Sequence, residues 1–305
     1  MSEYGWRIKY VETKKTVREL KWISFVIPAL FFYILFFWVP SLESVYYSFT
    51  KWDGVTSEFV GIKNYIRLFH DRQILESIGN TVFYTVTIVI IQNILGFVFA
   101  VLLERSCLKN NILRTLIFMP YVFSSLLIGY VFKFMLESNI GALNNILRNL
   151  NLEGIILPWL SNPSVSRWVI TAVTVWQCVG YTMVINIAGL QSIPDMYYEA
   201  ASLDGATKMQ KLIHITFPLI APATTINVML SLIGNLQIYN QVYTLTGGGP
   251  AHKTESIAVT LYRLGFSSEG AQWGYGAAIA VAMFVIILII TVITTTMLRK
   301  REVEA

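Results

Sequence analysis

Charged side chains are scarce in this chain of 305 residues, because Asp, Glu, Lys and Arg together make up only 13% of it. Soluble domains carry roughly 25% charged residues, whereas 55% of this chain is apolar. Cysteine occurs twice and histidine three times, which argues against a disulfide framework and against a metal site. These absences oppose a large soluble core and leave the lipid bilayer as the solvent of most of the chain.

Long stretches of the chain contain no Asp, Glu, Lys or Arg at all, namely residues 77–103, 168–194 and 212–252. A charge at the centre of a membrane helix costs roughly 2.5–3.5 kcal/mol on insertion scales. Proton- and sodium-coupled carriers usually keep such residues or broken helices near the midplane. The charge-free stretches therefore argue against a secondary carrier, which stays as an alternative, and indicate that any energy comes from outside the spans.

Six apolar runs are long enough to cross a membrane, since a spanning helix needs about 20 mostly apolar residues. The sequence therefore predicts an all-α, polytopic membrane protein. The predicted spans are approximately Ile23–Leu42, Thr81–Leu103, Leu116–Phe132, Trp168–Gln191, Leu219–Thr246 and Gly274–Leu298. The polar residues 61–79 before the second span are predicted to form a separate interfacial helix.

Basic residues are distributed unequally between the two sides of these spans. One side carries most of the 23 Lys and Arg residues. This side comprises residues 1–22, the loop after the second span, the connector after the fourth span and the tail 299–305. The positive-inside rule then predicts that both termini and the connector are cytoplasmic. Topology accounts for the net charge of +5, so no nucleic-acid partner is expected. We interpret 1–22 as an interfacial arm on the lipid bilayer and 23–298 as the membrane domain.

One polar connector, residues 192–218, separates the fourth and fifth predicted spans. Pro194 interrupts the preceding helix, and Gly205 supplies a flexible break between two short helices. Asp204 and Lys208 stand one helical turn apart and are predicted to pair. Small side chains let a partner's surface approach closely, at Ala200, Ala201 and Ala206. Because most of the chain is predicted to lie in the bilayer, this connector is the segment that a soluble partner can contact.

Neutral polar and aromatic side chains occupy the fourth and fifth predicted spans in place of charges. Such groups suit a polyhydroxylated neutral ligand. The alternative is that they hydrogen-bond one helix to another, which applies to any single residue more readily than to the cluster 237–241. The residues are Trp176, Gln177, Gly180, Tyr181, Thr182 and Asn186 in the fourth span, and Asn227, Ser231, Asn235, Gln237, Tyr239, Asn240, Gln241, Tyr243 and Thr244 in the fifth.

Catalysis finds little support in the sequence. The run 247–254 superficially resembles a phosphate-binding loop, but His252 stands before its lysine where Gly is required, and no strand precedes it. We therefore expect a non-catalytic chain with no cofactor and no metal. An integral membrane enzyme remains an alternative that no constellation of residues supports. The remaining candidates are isolated loop carboxylates, at Glu137, Glu153 and Glu269.

The connector resembles the cytoplasmic signature of permease subunits of bacterial ABC importers. That signature is Glu-Ala-Ala, three residues, Gly, nine residues and Ile-x-Leu-Pro, and the chain matches both gaps, with Phe217 in place of Leu. Five further runs resemble the maltose and glycerol-phosphate type of sugar permease, and the Gly-Gly-Gly-Pro run resembles the first subunit of a heterodimeric pair. These runs are Phe59–Tyr65, Asn80–Thr81, Leu113–Pro120, Leu245–Pro250 and Gly274–Ala278.

The resemblance implies a passive half-channel with the six-helix fold of a type I importer permease, in a bacterial cell membrane. It implies a second homologous permease, two ATPase subunits that hold ATP and Mg, and an extracytoplasmic sugar-binding lipoprotein. Coupling to the ATPase would fall on Glu199, Ala200, Ala201, Asp204, Gly205, Ile215 and Pro218.

The solute path implied by the same resemblance passes Trp176, Gly180, Tyr181, Met183, Gln237 and Asn240, to which residue chemistry adds Gln177, Asn235 and Tyr239. A glycerol-phosphate ester would need a cationic partner that the fourth and fifth spans lack. We therefore expect a neutral sugar or oligosaccharide as the cargo, and the ester or another small solute is the alternative.

Overall fold

The structure, a computed structural model, describes residues 26–266 and 272–300. The predicted arm 1–22 and residues 301–305 of the predicted tail lie outside the described residues. Helices account for most of the described chain, as the sequence predicts, and they are joined by short loops. In chain order they are α1 (Val26–Tyr47), α2 (Lys63–His70), α3 (Arg72–Leu103), α4 (Leu108–Val122), α5 (Ser125–Met135), α6 (Ala142–Asn149), α7 (Pro163–Gln191), α8 (Asp195–Leu203), α9 (Lys208–Leu219), α10 (Ala221–Leu236), α11 (Asn240–Thr246), α12 (Ile257–Phe266) and α13 (Trp273–Arg299).

The two longest helices, α3 and α7, form the centre of the bundle. They approach closely at Gly96, where an added Cβ would lie 2.5 Å from a side-chain atom of Thr182. Helix α4 crosses α7 in the same way at Gly180, where an added Cβ would lie 2.3 Å from the carbonyl oxygen of Ile117. Small residues at such crossings are typical of membrane helices, whose association depends on close packing. The connector lies at one end of this bundle, which we call the connector side.

Helix α1 stands apart from this centre. It contacts α13 and the strand that follows it, yet none of the residues from Val26 to Tyr47 is buried. Phe, Leu, Ile and Trp side chains therefore cover all faces of the helix and remain exposed. A helix that is apolar all round suits a lipid environment.

The number of membrane spans agrees with the sequence, but two of the spans are bent. Within residues 26–266 and 272–300, four helices are long and apolar enough to cross a membrane, and the total is up to six if each bent pair counts as one span. The pairs are α4 with α5, which meet at 94°, and α9 with α10, which meet at 64°. Hydropathy predicts which residues enter the bilayer and contains no information about the direction of the helix.

The third predicted span, Leu116–Phe132, is wrong as a continuous helix. Helix α4 ends at Val122, and Phe123 has an extended backbone with ψ of 148°. Pro120 lies inside the last turn of α4, where a proline removes a backbone hydrogen bond and favours a helix end. Helix α5 then begins at Ser125 in a new direction.

The fifth predicted span, Leu219–Thr246, is also interrupted. Helix α10 ends at Leu236 and α11 begins at Asn240, so residues 237–239 form a break between them. The hydroxyl of Ser256 donates to the carbonyl of Ile238 in this break, which satisfies a backbone acceptor that has lost its place in a helix. The polar run that the sequence singled out therefore marks a break in the helix.

The polar segment before the second span divides between two helices, which corrects the prediction of one interfacial helix over residues 61–79. Only α2 is separate. The Asp71 carboxylate accepts hydrogen bonds from the N–H groups of Gln73 and Ile74, so it caps the N-terminus of α3. Residues 72–79 consequently belong to the first turns of the long helix.

A short hairpin, which the sequence did not predict, joins α1 to α2. Its strands are β1 (Thr50–Trp52) and β2 (Ser57–Phe59), which pair antiparallel. The Asp53 carboxylate accepts N–H donors from Thr56 and Val55, and these hydrogen bonds lower its pKa. The ring of Trp52 stacks on Tyr47 with 3.8 Å between centroids. The hairpin thus fastens the end of α1 to the rest of the chain.

The loop 247–256 folds around the carboxylate of Glu255, whose side chain is 1% exposed. This carboxylate accepts hydrogen bonds from Arg263 Nε at 3.1 Å and from the Thr260 hydroxyl at 2.8 Å, and it contacts His252. Gly248 has a φ of +85°, and an added Cβ would lie 2.2 Å from Glu255 Cγ. The backbone conformation of Gly248 and its close contact with Glu255 therefore explain the glycine-rich run without phosphate binding.

Candidate functional site

A polar pocket of about 380 Å³ lies at the break between α10 and α11. Residues of α3, α7 and the α4–α5 bend complete its wall. The break contributes Gln237, Ile238 and Tyr239 to the lining, and the bend contributes Tyr121 and Ser125. The lining residues are Gln92, Tyr121, Ser125, Thr174, Cys178, Tyr181, Leu230, Ser231, Gly234, Asn235, Gln237, Ile238, Tyr239, Asn240 and Gln241.

The pocket wall combines aromatic faces with neutral hydrogen-bonding groups. Tyr121 and Tyr181 stack with 4.8 Å between their ring centroids, and Tyr239 stacks on Tyr243 at 5.2 Å. No Asp, Glu, Lys or Arg is among the residues that line the pocket. Such a wall can stack on apolar ring faces and hydrogen-bond to hydroxyl groups, and it offers no charge to compensate an ion.

A hydrogen bond joins Gln241, which lines the pocket, to Gln177, which does not line it. Gln241 Nε2 donates to Gln177 Oε1 at 2.8 Å. Gln177 Nε2 in turn donates to the Ser125 hydroxyl at 3.0 Å and to the Phe123 carbonyl at 3.3 Å. Gln177 therefore links α7 to the α4–α5 bend and to α11, so the bend and the break are held in one network.

Five of the nine residues that the sequence predicts for a solute path line this pocket. They are Tyr181, Asn235, Gln237, Tyr239 and Asn240.

The other four predicted path residues are not part of its wall. Gln177 lies behind the wall, and Trp176 is half exposed and packs on Phe132 at 5.3 Å between centroids. Gly180 packs against the backbone of α4, and Met183 is fully buried in an apolar cluster with Ala100 and Leu190. On α7, residues three or four positions apart share a face, and the sequence does not say which face meets the pocket.

Sequence reasoning missed four polar lining residues, namely Thr174 on α7 and Gln92, Tyr121 and Ser125 on other elements. Gln92 is an amide within the second predicted span, which is a detectable signal. Tyr121 and Ser125 flank the α4–α5 bend, and they lie at the pocket only because the helix changes direction there.

The connector has the predicted form of a short helix, a turn and a second helix. Helix α8 ends at Leu203, and Gly205 adopts a left-handed conformation with φ of +75°. The Gly205 N–H donates to the Ser202 carbonyl at 3.2 Å. Thr207 then caps α9 in a capping box with Gln210. These features fix the angle between the two helices of the connector.

The predicted pair of Asp204 and Lys208 is wrong, because no ion pair joins them among the described residues. Asp204 follows the end of α8 and Lys208 begins α9, with the left-handed Gly205 between them, so the spacing of one helical turn does not apply. Lys211 donates to the Ser202 hydroxyl instead and thereby bridges the turn.

Large apolar side chains are exposed on the connector. Leu203 is 90% exposed, Met196 is 67% exposed and Met209 is 62% exposed. Glu199 and Ala200 are also exposed, while Ile215 and Pro218 are half buried near the bundle. An exposed apolar surface next to polar residues is typical of a site that binds another protein.

Tyr198 attaches this exposed connector to the bundle. Its ring packs on the buried cluster at the connector side, which includes Leu103, Leu190 and Ile220. Its hydroxyl is 3.0 Å from the hydroxyl of Thr216, so the two hydroxyls form a hydrogen bond across the connector. The connector is therefore joined to the helices that surround the pocket.

Comparison with known proteins identifies the family of proteins to which a chain with this connector and pocket belongs. The family described as "Binding-protein-dependent transport system inner membrane component" matches residues 92–302, which is more than half of the chain. The chain belongs to this family. It is therefore a permease and a multi-pass membrane protein, and its connector and pocket are features of a transport subunit.

Relatives of this permease match it over most of its length. The probable ABC transporter permease protein YurN of Bacillus subtilis is 35% identical over 266 residues, which cover 86% of this chain and 90% of that protein. AmyD of Thermoanaerobacterium thermosulfurigenes, a probable permease protein for starch degradation products, is 34% identical over 281 residues, 92% of this chain and 94% of that protein. MsmF of Streptococcus mutans, a multiple sugar-binding transport system permease protein, is 32% identical over 282 residues, 92% of this chain and 96% of that protein.

A solved structure shows the same fold. A chain in the crystal structure of a bacterial ABC transporter involved in the import of the acidic polysaccharide alginate matches the permease with a TM-score of 0.82. The match covers 94% of this chain and 98% of that chain at 21% identity. The predicted fold class, the helical fold of an importer permease, is confirmed.

Proposed function

We propose that this permease forms one half of the pathway by which an ATP-driven importer brings a neutral sugar or oligosaccharide into the cell. The observation that carries the proposal is the pocket at the break between α10 and α11. Its wall presents amides, hydroxyls and tyrosine rings beside a few apolar residues, and none of its lining residues is charged. A polyhydroxylated neutral solute matches these groups in hydrogen bonding and in its apolar ring faces.

The cargoes named for relatives support a sugar. AmyD and MsmF are named for starch degradation products and for multiple sugars. A permease of Agrobacterium fabrum that is 30% identical over 264 residues is named for sn-glycerol-3-phosphate, which keeps a phosphate ester as the alternative. A phosphate group would need a cationic or N–H-rich partner, and the pocket wall has no Lys or Arg. The neutral cargo is therefore favoured.

The proposal includes four partners outside this chain. A second homologous permease would close the pathway, and an extracytoplasmic sugar-binding lipoprotein would deliver the solute. Two ATPase subunits, which bind ATP and Mg, would each receive the connector of one permease in the cytoplasm. The exposed Leu203, Met196 and Met209 support this docking, and closure of the ATPases would turn the cavity outward.

The proposed function is tested with the permease assembled with its partner subunits in proteoliposomes. We expect uptake of a labelled neutral oligosaccharide that requires both ATP and the loaded binding protein. Uptake should persist in the presence of an uncoupler when the ATP concentration is held constant. The predicted spans contain no charged side chain that could couple transport to an ion gradient. Uptake that stops in the uncoupler, or that prefers glycerol 3-phosphate to every neutral sugar, would contradict the proposal.

The pocket residues give a prediction for two alanine variants. We expect Gln237→Ala or Asn240→Ala to raise the solute concentration for half-maximal uptake by about two- to tenfold, since a lost hydrogen bond is worth about 0.5–1.5 kcal/mol and 1.4 kcal/mol is a factor of ten. Basal ATP hydrolysis should remain within twofold of the unmodified complex. Asn145→Ala is the control, because Asn145 is an exposed amide on α6, outside the pocket. Equal loss of uptake and basal hydrolysis would indicate that these amides only pack helices.

The attachment of the connector gives a second prediction, for Tyr198. Tyr198→Ala removes the ring that packs on the buried cluster, so we expect stimulated ATP hydrolysis to fall about tenfold. Tyr198→Phe keeps the ring and loses one hydrogen bond worth about 0.5–1.5 kcal/mol, so most of the stimulation should remain. Tyr197→Ala is the matched control, since Tyr197 is exposed on the same helix. Identical behaviour of Tyr198→Ala and Tyr197→Ala would contradict an anchoring role.

A further inference from the structure

Four aromatic side chains form a continuous row that begins at the pocket wall. Tyr239, which lines the pocket, stacks on Tyr243 with 5.2 Å between the ring centroids. The ring of Tyr262 lies 5.5 Å from that of Tyr239 and 5.4 Å from that of Tyr243. Phe266 stacks on Tyr262 at 5.1 Å. Each ring therefore contacts the next at the spacing of favourable aromatic pairs, about 4.5–7 Å, and we call these four residues the aromatic row.

The aromatic row leads away from the connector, as the contacts along the long helix α3 show. Leu103 at the end of α3 packs in the buried cluster at the connector side, and Gln92 farther up the helix lines the pocket. Near the start of α3, the Ser77 hydroxyl lies 2.8 Å from the Thr260 hydroxyl of α12. The second half of the row belongs to α12. The row therefore extends from the pocket toward the side opposite the connector, which the sequence predicts to be extracytoplasmic.

The rings of the aromatic row are accessible, and most of them carry a hydroxyl. Tyr243 is 36% exposed, Tyr262 is 42% exposed and Phe266 is 78% exposed. On α1, by contrast, four of the five exposed aromatic side chains between residues 31 and 37 are phenylalanine. A tyrosine joins an apolar ring face to a hydroxyl that forms hydrogen bonds. Three neighbouring tyrosines therefore indicate a surface that contacts water or a hydroxylated ligand instead of acyl chains.

The size of the pocket gives the aromatic row a reason to bind solute. The pocket holds about 380 Å³, which is near the lower end of the range of about 300–1,000 Å³ for small-molecule sites. An oligosaccharide of several units therefore extends beyond it. The row continues the pocket wall, since Tyr239 belongs to both. Its ring faces can stack on the apolar faces of sugar rings, and its hydroxyls can bond to sugar hydroxyls.

We propose that the aromatic row is a second saccharide subsite, which holds the units of a neutral oligosaccharide that do not fit in the pocket. The proposal rests on the proposed function and specifies its substrate class, namely an oligosaccharide longer than the pocket and not a monosaccharide. Tyr262 is the central contact, because its ring touches the other three rings of the row. The subsite lies on the side from which an imported solute enters.

The first test measures whether the aromatic row faces water, and it does not depend on the identity of the cargo. Tyr262→Cys is made in a background with Cys107→Ser and Cys178→Ser, and the assembled complex is treated with a membrane-impermeant methanethiosulfonate reagent from the side opposite the connector. The reference is Phe36→Cys in the same background, because Phe36 is 71% exposed on the apolar surface of α1. We expect Tyr262→Cys to be labelled at least tenfold faster than the reference, either in the nucleotide-free complex or in the complex trapped with ATP and vanadate. Equally slow labelling of both variants in both states would overturn the proposal and assign the row to contact with lipid or with the second permease.

The second test measures whether the row holds sugar units outside the pocket. The probes are labelled maltose and labelled maltotetraose, and the measured quantity is the ratio of maltotetraose uptake to maltose uptake with saturating loaded binding protein. We expect Tyr262→Ala to lower this ratio at least fivefold, because only the longer sugar extends past the pocket. Tyr262→Phe keeps the ring face and should retain at least half of the ratio. Tyr46→Ala is the matched control, since Tyr46 is 58% exposed on α1, and it should leave the ratio unchanged.

The outcomes separate this proposal from the proposed function. An unchanged ratio in Tyr262→Ala would overturn the subsite while the transport of neutral sugars stands. An equal fall in the uptake of both sugars would also overturn it, and would assign Tyr262 to the packing of α12 against α11. Failure of the proposed function has a different signature, because the unmodified complex would then take up no neutral sugar while fast labelling of Tyr262→Cys would still place the row on the solute path.

Discussion

Replacing Gly205 by proline is expected to abolish the stimulation of ATP hydrolysis by the loaded binding protein, and uptake with it. Gly205 has a φ of +75°, whereas the proline ring fixes φ near −65°. Proline also lacks the N–H that donates to the Ser202 carbonyl. The angle between α8 and α9 would therefore change, and the surface that carries Leu203 and Met209 could no longer fit one partner. The measurement is ATP hydrolysis by the reconstituted complex with and without loaded binding protein.

Gly205→Asn is the matched control for this variant. No atom of the described residues lies within 4 Å of a Cβ added at Gly205, so side-chain volume alone should be tolerated. Asparagine enters the left-handed region more readily than other residues with a side chain, and we expect most of the stimulation to remain.

A charge reversal at Glu199 tests the same surface without changing the backbone. Glu199 is exposed and forms no ion pair within the described residues, so Glu199→Lys should leave folding intact and weaken stimulation. Normal coupling in both Gly205→Pro and Glu199→Lys would refute the role of the connector.

Gly180→Ala is expected to have the largest effect on stability. The added Cβ would lie 2.3 Å from the Ile117 carbonyl oxygen and 2.6 Å from Phe118 Cα. Both atoms belong to the backbone of α4, so neither can rotate away and the two helices must separate. Overpacking of this kind costs about 1–3 kcal/mol. We expect a lower midpoint of thermal unfolding in detergent and a smaller yield of folded complex.

Gly79→Ala on α3 is the control for this helix substitution, because Gly79 is exposed and a Cβ there meets no atom within 4 Å. Alanine is favoured over glycine in a helix by about 1 kcal/mol, so this variant should be as stable as the unmodified protein or slightly more stable.

If the Gly180→Ala variant has impaired uptake but unfolds at the normal temperature, Gly180 contributes to the solute path, as the sequence predicts. A fall in both uptake and the midpoint of thermal unfolding indicates that Gly180 is needed for the close packing of α4 against α7.

Gly180 also shows which features of the structure can be predicted from the sequence and which cannot. Composition and charge-free stretches predict the membrane class and the number of spans, because transfer into lipid depends on composition over a window of residues. The connector is predictable because proline, glycine and a capping threonine act locally. Whether Gly180 faces the pocket or α4 depends on the rotation of α7, which no local signal determines.

The bends and the break are the other features that sequence reasoning does not reach. Phe123 and Ile238 are apolar residues inside apolar runs, and hydropathy treats them as helix. Distant side chains satisfy the backbone groups that leave the helix there: Gln177 donates to the Phe123 carbonyl and Ser256 donates to the Ile238 carbonyl. These contacts join residues far apart in the chain, so the pocket that they shape is visible only in the structure.

The loop around Glu255 is ordered by contacts within this chain alone. Arg263 and Thr260 hold its carboxylate, and Asn80 Nδ2 donates to the carbonyls of Lys253 and Glu255 at 3.0 Å each. Because the loop is already ordered, binding to it would cost little conformational entropy for ordering. Ser256 binds the carbonyl of Ile238, which lines the pocket, so the loop contacts the pocket wall directly and a displacement of one is expected to move the other.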